Sequence, residues 1–148
     1  MYVTVSSVIE RYSGMPYTEF ASTRIFAPLN MSDTSFSPDR ANATGRFTQS
    51  WSLTGTRRIP SWFTDSESGA LGGPGGIISS AADLSRWVTL LLGGDAASGA
   101  VPEAAYLVPQ AARVVASGAL TYGMGWLQTT FSGHPVRLLF ASSASRRG

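Results

Sequence analysis

The sequence predicts an α+β fold that is mostly helical, and three observations carry that prediction. Apolar residues recur at helical spacing from Met1 to Tyr12 and from Leu84 to Leu92. A third helical stretch, Tyr17 to about Ala27, lies between the punctuating prolines Pro16 and Pro28. Strand-like sequence is confined to the last part of the chain, where LTYGMGWLQTTF (Leu120 to Phe131) meets a Ser132-Gly133 turn and returns from Pro135 to Phe140 as a terminal strand pair.

In the first helix Met1, Val5, Val8, Ile9 and Tyr12 fall on one side, with Ser6, Ser7, Glu10 and Arg11 toward the other. The valine side is the one expected to be buried. The second helix is expected to bury Tyr17, Phe20 and Ile25 and to expose Glu19 and Arg24. From Asn30 to Gly69 polar residues dominate, and Phe36, Phe47, Trp51, Trp62 and Phe63 are spaced irregularly, which predicts a long loop. Asn30-Met31-Ser32 and Asn42-Ala43-Thr44 match the N-glycosylation acceptor pattern, which is short enough to arise by chance.

The stretch from Gly69 to Gly94 organises the rest. Gly72, Gly73, Pro74, Gly75 and Gly76 form a loop in which backbone can turn or approach a ligand without a Cβ in the way. After Ile77 and Ile78, Ser80 is placed to cap a helix, and Asp83 three residues later completes a capping-box pattern. Leu84, Trp87, Val88, Leu91 and Leu92 make one apolar stripe, with Asp83, Arg86 and Thr89 off it, and Gly93-Gly94 stops the helix. A glycine loop before a helix also suggests a phosphate cradle, but Ile78 stands where a P-loop needs lysine and where the dinucleotide pattern needs its third glycine. Farther on, Pro102 and Pro109 punctuate an alanine-rich segment, 103–116, read as two short helical turns. The final ASSASRRG has no periodicity and is expected to be disordered.

Composition narrows the function classes. The chain has 148 residues and 43% hydrophobic content, enough for one domain with a core. Charged residues make up 14%, below the roughly 25% usual for soluble domains, so partners are expected to include self-association through exposed apolar surface. All 11 basic residues are arginine, and there is no lysine. The arginines are scattered along the sequence, which argues against a nucleic-acid surface. No apolar run approaches the roughly 20 residues of a membrane span, and no signal-peptide pattern is visible, leaving the compartment open. With no cysteine and one histidine, no thiol chemistry, metal site or cofactor is expected.

Three ordered blocks, VIERYSGMPYTEFASTRIFAPLNMSDTSFS, GGPGGIISSAADLSRW and YGMGW, resemble the serine β-lactamase-related family, which also contains penicillin-binding proteins and esterases. The resemblance implies a partial β-lactamase/transpeptidase-like fold over residues 1–136, a helical subdomain plus the strand pair, with 137–148 as a divergent tail. It also implies a serine acyl-transfer chemistry built on an S-x-x-K pair, a Y-x-N or S-x-N motif and a K/H-x-G strand. None of these is found. Without lysine there is no S-x-x-K, no tyrosine is followed two places later by asparagine, and Leu139 to Ser142 do not fit the third motif. His134 reads as a hairpin-turn residue.

The resemblance therefore implies an internal segment of a hydrolase, catalytically silent alone, with Met1 an internal methionine and either a change of reading frame or a missed splice site after Val136. Two alternatives stand beside it: a non-enzymatic interaction module, and a residual hydrolase using Ser142 or Ser145 with His134 and Asp95. No catalytic residue is assigned. By resemblance, Gly73, Pro74, Gly75 and Gly76 are candidates for the substrate-side rim, against the alternative that the loop only lets the following helix pack.

Overall fold

The computed structural model describes residues 2–48, 50–51, 58–59, 72–93, 101–111 and 113–138. They belong to two units, residues 1–100 and residues 101–148.

In the first unit, α1 spans Tyr2–Ser13 and ends where Gly14 takes φ +72° and donates its N–H to Glu10 O. Glu10 also reaches forward, its Oε1 accepting from the N–H of Tyr17 at 3.0 Å. That satisfies a free donor at the start of α2 (Tyr17–Ala21), which has no side-chain cap of its own. The helix continues as a π-helical segment, Ser22–Phe26, into a turn at Pro28. Ala21, Phe26, Leu29, Met31 and Phe36 are buried. Phe36 meets Tyr17 edge-on at 6.0 Å and Phe26 at 5.8 Å. Glu19 and Arg24 are exposed as expected, and Tyr17, Phe20 and Ile25 are half-buried.

The expected long loop from Asn30 contains structure. Helix α3, Pro38–Ala43, starts at a Ser37 cap whose hydroxyl accepts from the Arg40 N–H at 3.1 Å, with proline in the first turn. Strands β1 (Ser50–Trp51) and β2 (Arg58–Ile59) pair antiparallel. Trp62, Phe63 and Gly69 lie outside the described residues.

Helix α4, Ala81–Leu91, begins and ends as expected. Ser80 Oγ accepts from the Asp83 N–H at 3.2 Å, and Gly93 at φ +75° donates to Leu90 O. Gly94 lies outside the described residues.

The faces of the two long helices correct the sequence reading. In α1 the buried residue is Ser6, at 8% exposure, while Val5 and Val8 are half-exposed and Tyr12 is 88% exposed. The cause is steric: a Cβ on Gly73 would sit 2.5 Å from Ser6 Oγ and 2.8 Å from Tyr2 O, so only a small residue on α1 can face that loop. Ser6 tolerates burial because its hydroxyl turns back to its own helix, 2.8 Å from Val3 O. In α4 the two most deeply buried side chains are Asp83 and Leu90, one face at i and i+7; of the expected stripe Trp87 and Leu91 are half-buried, while Leu84, Val88 and Leu92 are exposed. Asp83, expected off the buried face, defines it.

In the second unit, α5 (Glu103–Leu107) and a 3₁₀ turn (Val108–Gln110) are the two expected helical pieces. The expected strand pair is an antiparallel sheet of four, in the order β3 (Val114–Ser117), β4 (Leu120–Tyr122), β5 (Leu127–Phe131), β6 (His134–Leu138). Val114 to Ala116, read as helical from the alanine content, form β3, which turns at Gly118 with φ +53°. The single expected strand from Leu120 is broken at Gly123, whose missing Cβ would lie 2.5 Å from Ala111 O. Between β5 and β6 the hairpin is as expected. Ser132 and Gly133 both take positive φ, the geometry of a two-residue type I′ turn, and His134 is the first residue of β6, opposite Phe131. Strand β6 includes Arg137 and Leu138, within the return strand expected from Pro135 to Phe140; residues 139–148 lie outside the described residues.

Candidate functional site

Gly72, Gly73 and Pro74 form a turn, Gly75 a bend, and Gly76 takes φ +85° before Ile78. Ile78 is fixed by a two-way backbone bridge, its N–H donating to Ser35 O at 2.8 Å and its carbonyl accepting from the Ser35 N–H at 2.9 Å. The four rim candidates are thus held at both ends, by the approach of Gly73 to α1 and by the Ile78 bridge. Within that span Pro74 and Gly75 are exposed, and a Cβ added at Gly75 or Gly76 meets nothing within 4 Å.

Behind the loop lies a polar network that the sequence did not reveal. Asp83 Oδ2 accepts from the Asp33 N–H and from the Thr34 hydroxyl, both at 2.8 Å, and Oδ1 accepts from Arg86 Nη1. Thr34 has one hydroxyl proton, which goes to Asp83, so Ser79, 2.8 Å away, donates to Thr34. Asp83 is 1% exposed, and these donors offset the cost of burying its charge. Sequence reading recognised Asp83 only as a capping residue; its partners Asp33 and Thr34 sit some fifty positions earlier, where no local pattern marks them.

Beside the network is a concavity of about 370 Å³ lined by Arg46, Phe47, Ile78, Ser79, Ser80 and Ala81 among others. At its edge Arg46 pairs with Asp33 at 2.9 Å, with the guanidinium side mostly in solvent, so the pair contributes little. Ser79 gives its proton to Thr34, Ser80 accepts from the helix backbone, and no lysine exists to serve as base. His134 belongs to the other unit and is exposed. Asp95, Ser142 and Ser145 lie outside the described residues. Among the described residues no helix is long and apolar enough to cross a membrane.

A helical unit around a glycine loop and a capped helix, with an antiparallel sheet of four strands in the second unit, makes a partial α+β fold. The beta-lactamase family model matches residues 1–143, past Val136 where the sequence resemblance was read as ending. The chain belongs to the beta-lactamase family. Its fold is similar to the class C beta-lactamase from Rhodobacter sphaeroides, at TM-score 0.70 and 21% identity over 88% of this chain and 35% of that one. It is similar as well to the octameric penicillin-binding protein homologue from Pyrococcus abyssi, at TM-score 0.69 and 20% identity over 92% of this chain and 30% of that one. A beta-lactamase/D-alanine carboxypeptidase from Pseudomonas syringae gives TM-score 0.67 and 20% identity, over 90% and 35%. The chain thus spans about a third of the length of the solved structures it matches. No curated protein matches it.

Proposed function

We propose that residues 1–148 are a segment of a serine acyl-transfer hydrolase of the beta-lactamase and penicillin-binding type, and that this segment does not catalyse the reaction alone. The observation that carries the proposal is the absence of lysine from a chain of this family. Acyl transfer of this kind needs a serine hydroxyl activated by an adjacent amine, and nucleophile and base act as one unit, so losing both removes the chemistry. What the segment supplies is scaffold and one edge of a binding cleft. Within the rim candidates, packing against α1 explains Gly73, and its positive φ explains Gly76. Neither explains Gly75, which makes Gly75, with Pro74 and Gly76 beside it, the place where a substrate's backbone or ring could approach closely.

The experiment exposes purified 1–148 to a chromogenic cephalosporin and to p-nitrophenyl acetate, and follows intact mass after penicillin. No turnover and no mass increase are expected; a covalent penicilloyl adduct on a defined serine refutes the proposal. A second reading, a non-enzymatic interaction module, is favoured by the outward apolar side chains of α1 and α4. A monodisperse species with a sharp cooperative thermal transition supports that reading.

A further inference from the structure

The chain contains two asparagines, Asn30 and Asn42, and each opens an N-x-S/T triplet without proline, Asn30-Met31-Ser32 and Asn42-Ala43-Thr44. Serine and threonine fill 34 of the 148 positions, so chance places one at the required spacing after both asparagines about one time in twenty. Asn30 closes the turn after the π-helical segment. Its φ of +55° is the left-handed conformation that asparagine adopts more readily than most residues, and its N–H donates to Ala27 O at 3.0 Å. Asn42 lies in the last turn of α3, its carbonyl accepting from the Gly45 N–H at 3.0 Å. Both residues are exposed, and neither carboxamide has a hydrogen-bond partner among the described residues. The backbone of each asparagine is used by the fold, while the side chain is left over.

We propose that Asn30 and Asn42 are N-glycosylation sites, each carrying an oligosaccharide on its side-chain nitrogen. In the transfer a bond forms between that nitrogen and C1 of the first sugar, and the bond from C1 to the pyrophosphate of a polyprenyl-linked donor breaks. The pyrophosphate leaves with the electron pair, and the amide gives up one proton. Transfer precedes folding, because the folded triplets are not free to enter an active site. Met31 is 5% exposed, and the Thr44 hydroxyl donates to Ala41 O at 2.7 Å and accepts from the Arg46 N–H at 3.1 Å. The fold then has only to leave both modified nitrogens in solvent, as it does. A glycan is bulky and solubilising, which suits a chain with 14% charged residues. The assignment is independent of the hydrolase reading.

The test expresses residues 1–148 in yeast behind a secretory leader and maps the chain by mass, from medium and cell extract alike, before and after treatment with peptide N-glycosidase. Two glycans are expected, with aspartate left at positions 30 and 42 on release. Asn42→Gln and Thr44→Ala should each abolish one of them. Asn30→Gln should abolish the other, and so should Ser32→Ala, which keeps asparagine in the left-handed turn and so separates loss of the acceptor from loss of the turn. Because both asparagines are exposed, the glycosidase should release both glycans from the native chain within tenfold of the rate seen after denaturation. A chain without glycan in both fractions overturns the proposal, and so does modification at only one of the two positions. Native release slowed more than tenfold overturns it as well, because the modified nitrogens are then not held in solvent.

Discussion

Removing the Asp83 carboxylate should release the segment around Asp33 and Thr34 from α4. In Asp83→Ala two donors, the half-buried Asp33 N–H and the buried Thr34 hydroxyl, lose a charged acceptor at 2.8 Å. Hydrogen bonds to charged groups contribute about 1.5–3 kcal/mol each, and part of that returns as the donors find water. Arg86 adds little to the loss, because its side chain is 41% exposed and can be hydrated in place. A net local cost of about 3 kcal/mol follows, close to what breaking a buried charged contact costs elsewhere. The readout is amide hydrogen exchange at Asp33, whose N–H is itself one of the bonds. Exchange should accelerate about a hundredfold in Asp83→Ala, since each 1.4 kcal/mol is tenfold. Asp83→Asn keeps one acceptor oxygen and should cost about 1 kcal/mol, roughly fivefold. A change below threefold in Asp83→Ala would show that the carboxylate does not hold this segment, and the account of α4's orientation would go with it.

Two further perturbations follow from the geometry. Gly73→Ala should destabilise the first unit by about 1–3 kcal/mol, because its Cβ would meet the backbone carbonyl of Tyr2 as well as Ser6; Gly75→Ala, in open space, should stay within about 0.5 kcal/mol. Thermal melting compares them, and equal effects would refute the close approach to α1. Burial pushes the Tyr17 phenol above its ordinary 10.0. Its contribution is therefore complete below pH 10.0 and is lost as pH rises through the raised folded-state value. Absorbance titration should show one tyrosine ionising late, and Tyr17→Phe should flatten the alkaline fall in melting temperature; an unchanged fall refutes it.

The signals that were legible in the sequence are those fixed within a few residues. Ser80, Gly93 and the Ser132-Gly133 turn act on their own neighbours, so their chemistry is readable without the rest of the fold. Ser37-Pro38 is the same kind of signal, a cap followed by proline, and was passed over because the surrounding polar composition reads as loop. Strand β3 was hidden by alanine, which favours helix in isolation, while its place in the sheet is set by pairing with β4 across Gly118. The Asp83 network was illegible for a stronger reason: its partners Asp33 and Thr34 lie about fifty residues before it, and a buried carboxylate looks in sequence like any helix-capping one.

The helix faces show a limit of another kind. Periodicity finds the apolar stripe of α1 and α4 correctly, but the step from stripe to buried face assumes that each helix has a single neighbour. Here the near neighbours are a glycine loop that admits only Ser6 and a loop whose donors call for Asp83, so Ser6 and Asp83 turn inward while Val5, Val8, Leu84 and Val88 are half-exposed. Such an inversion is costly for a helix lying on one core, where exposed apolar surface gains nothing. It costs nothing for a helix between two layers.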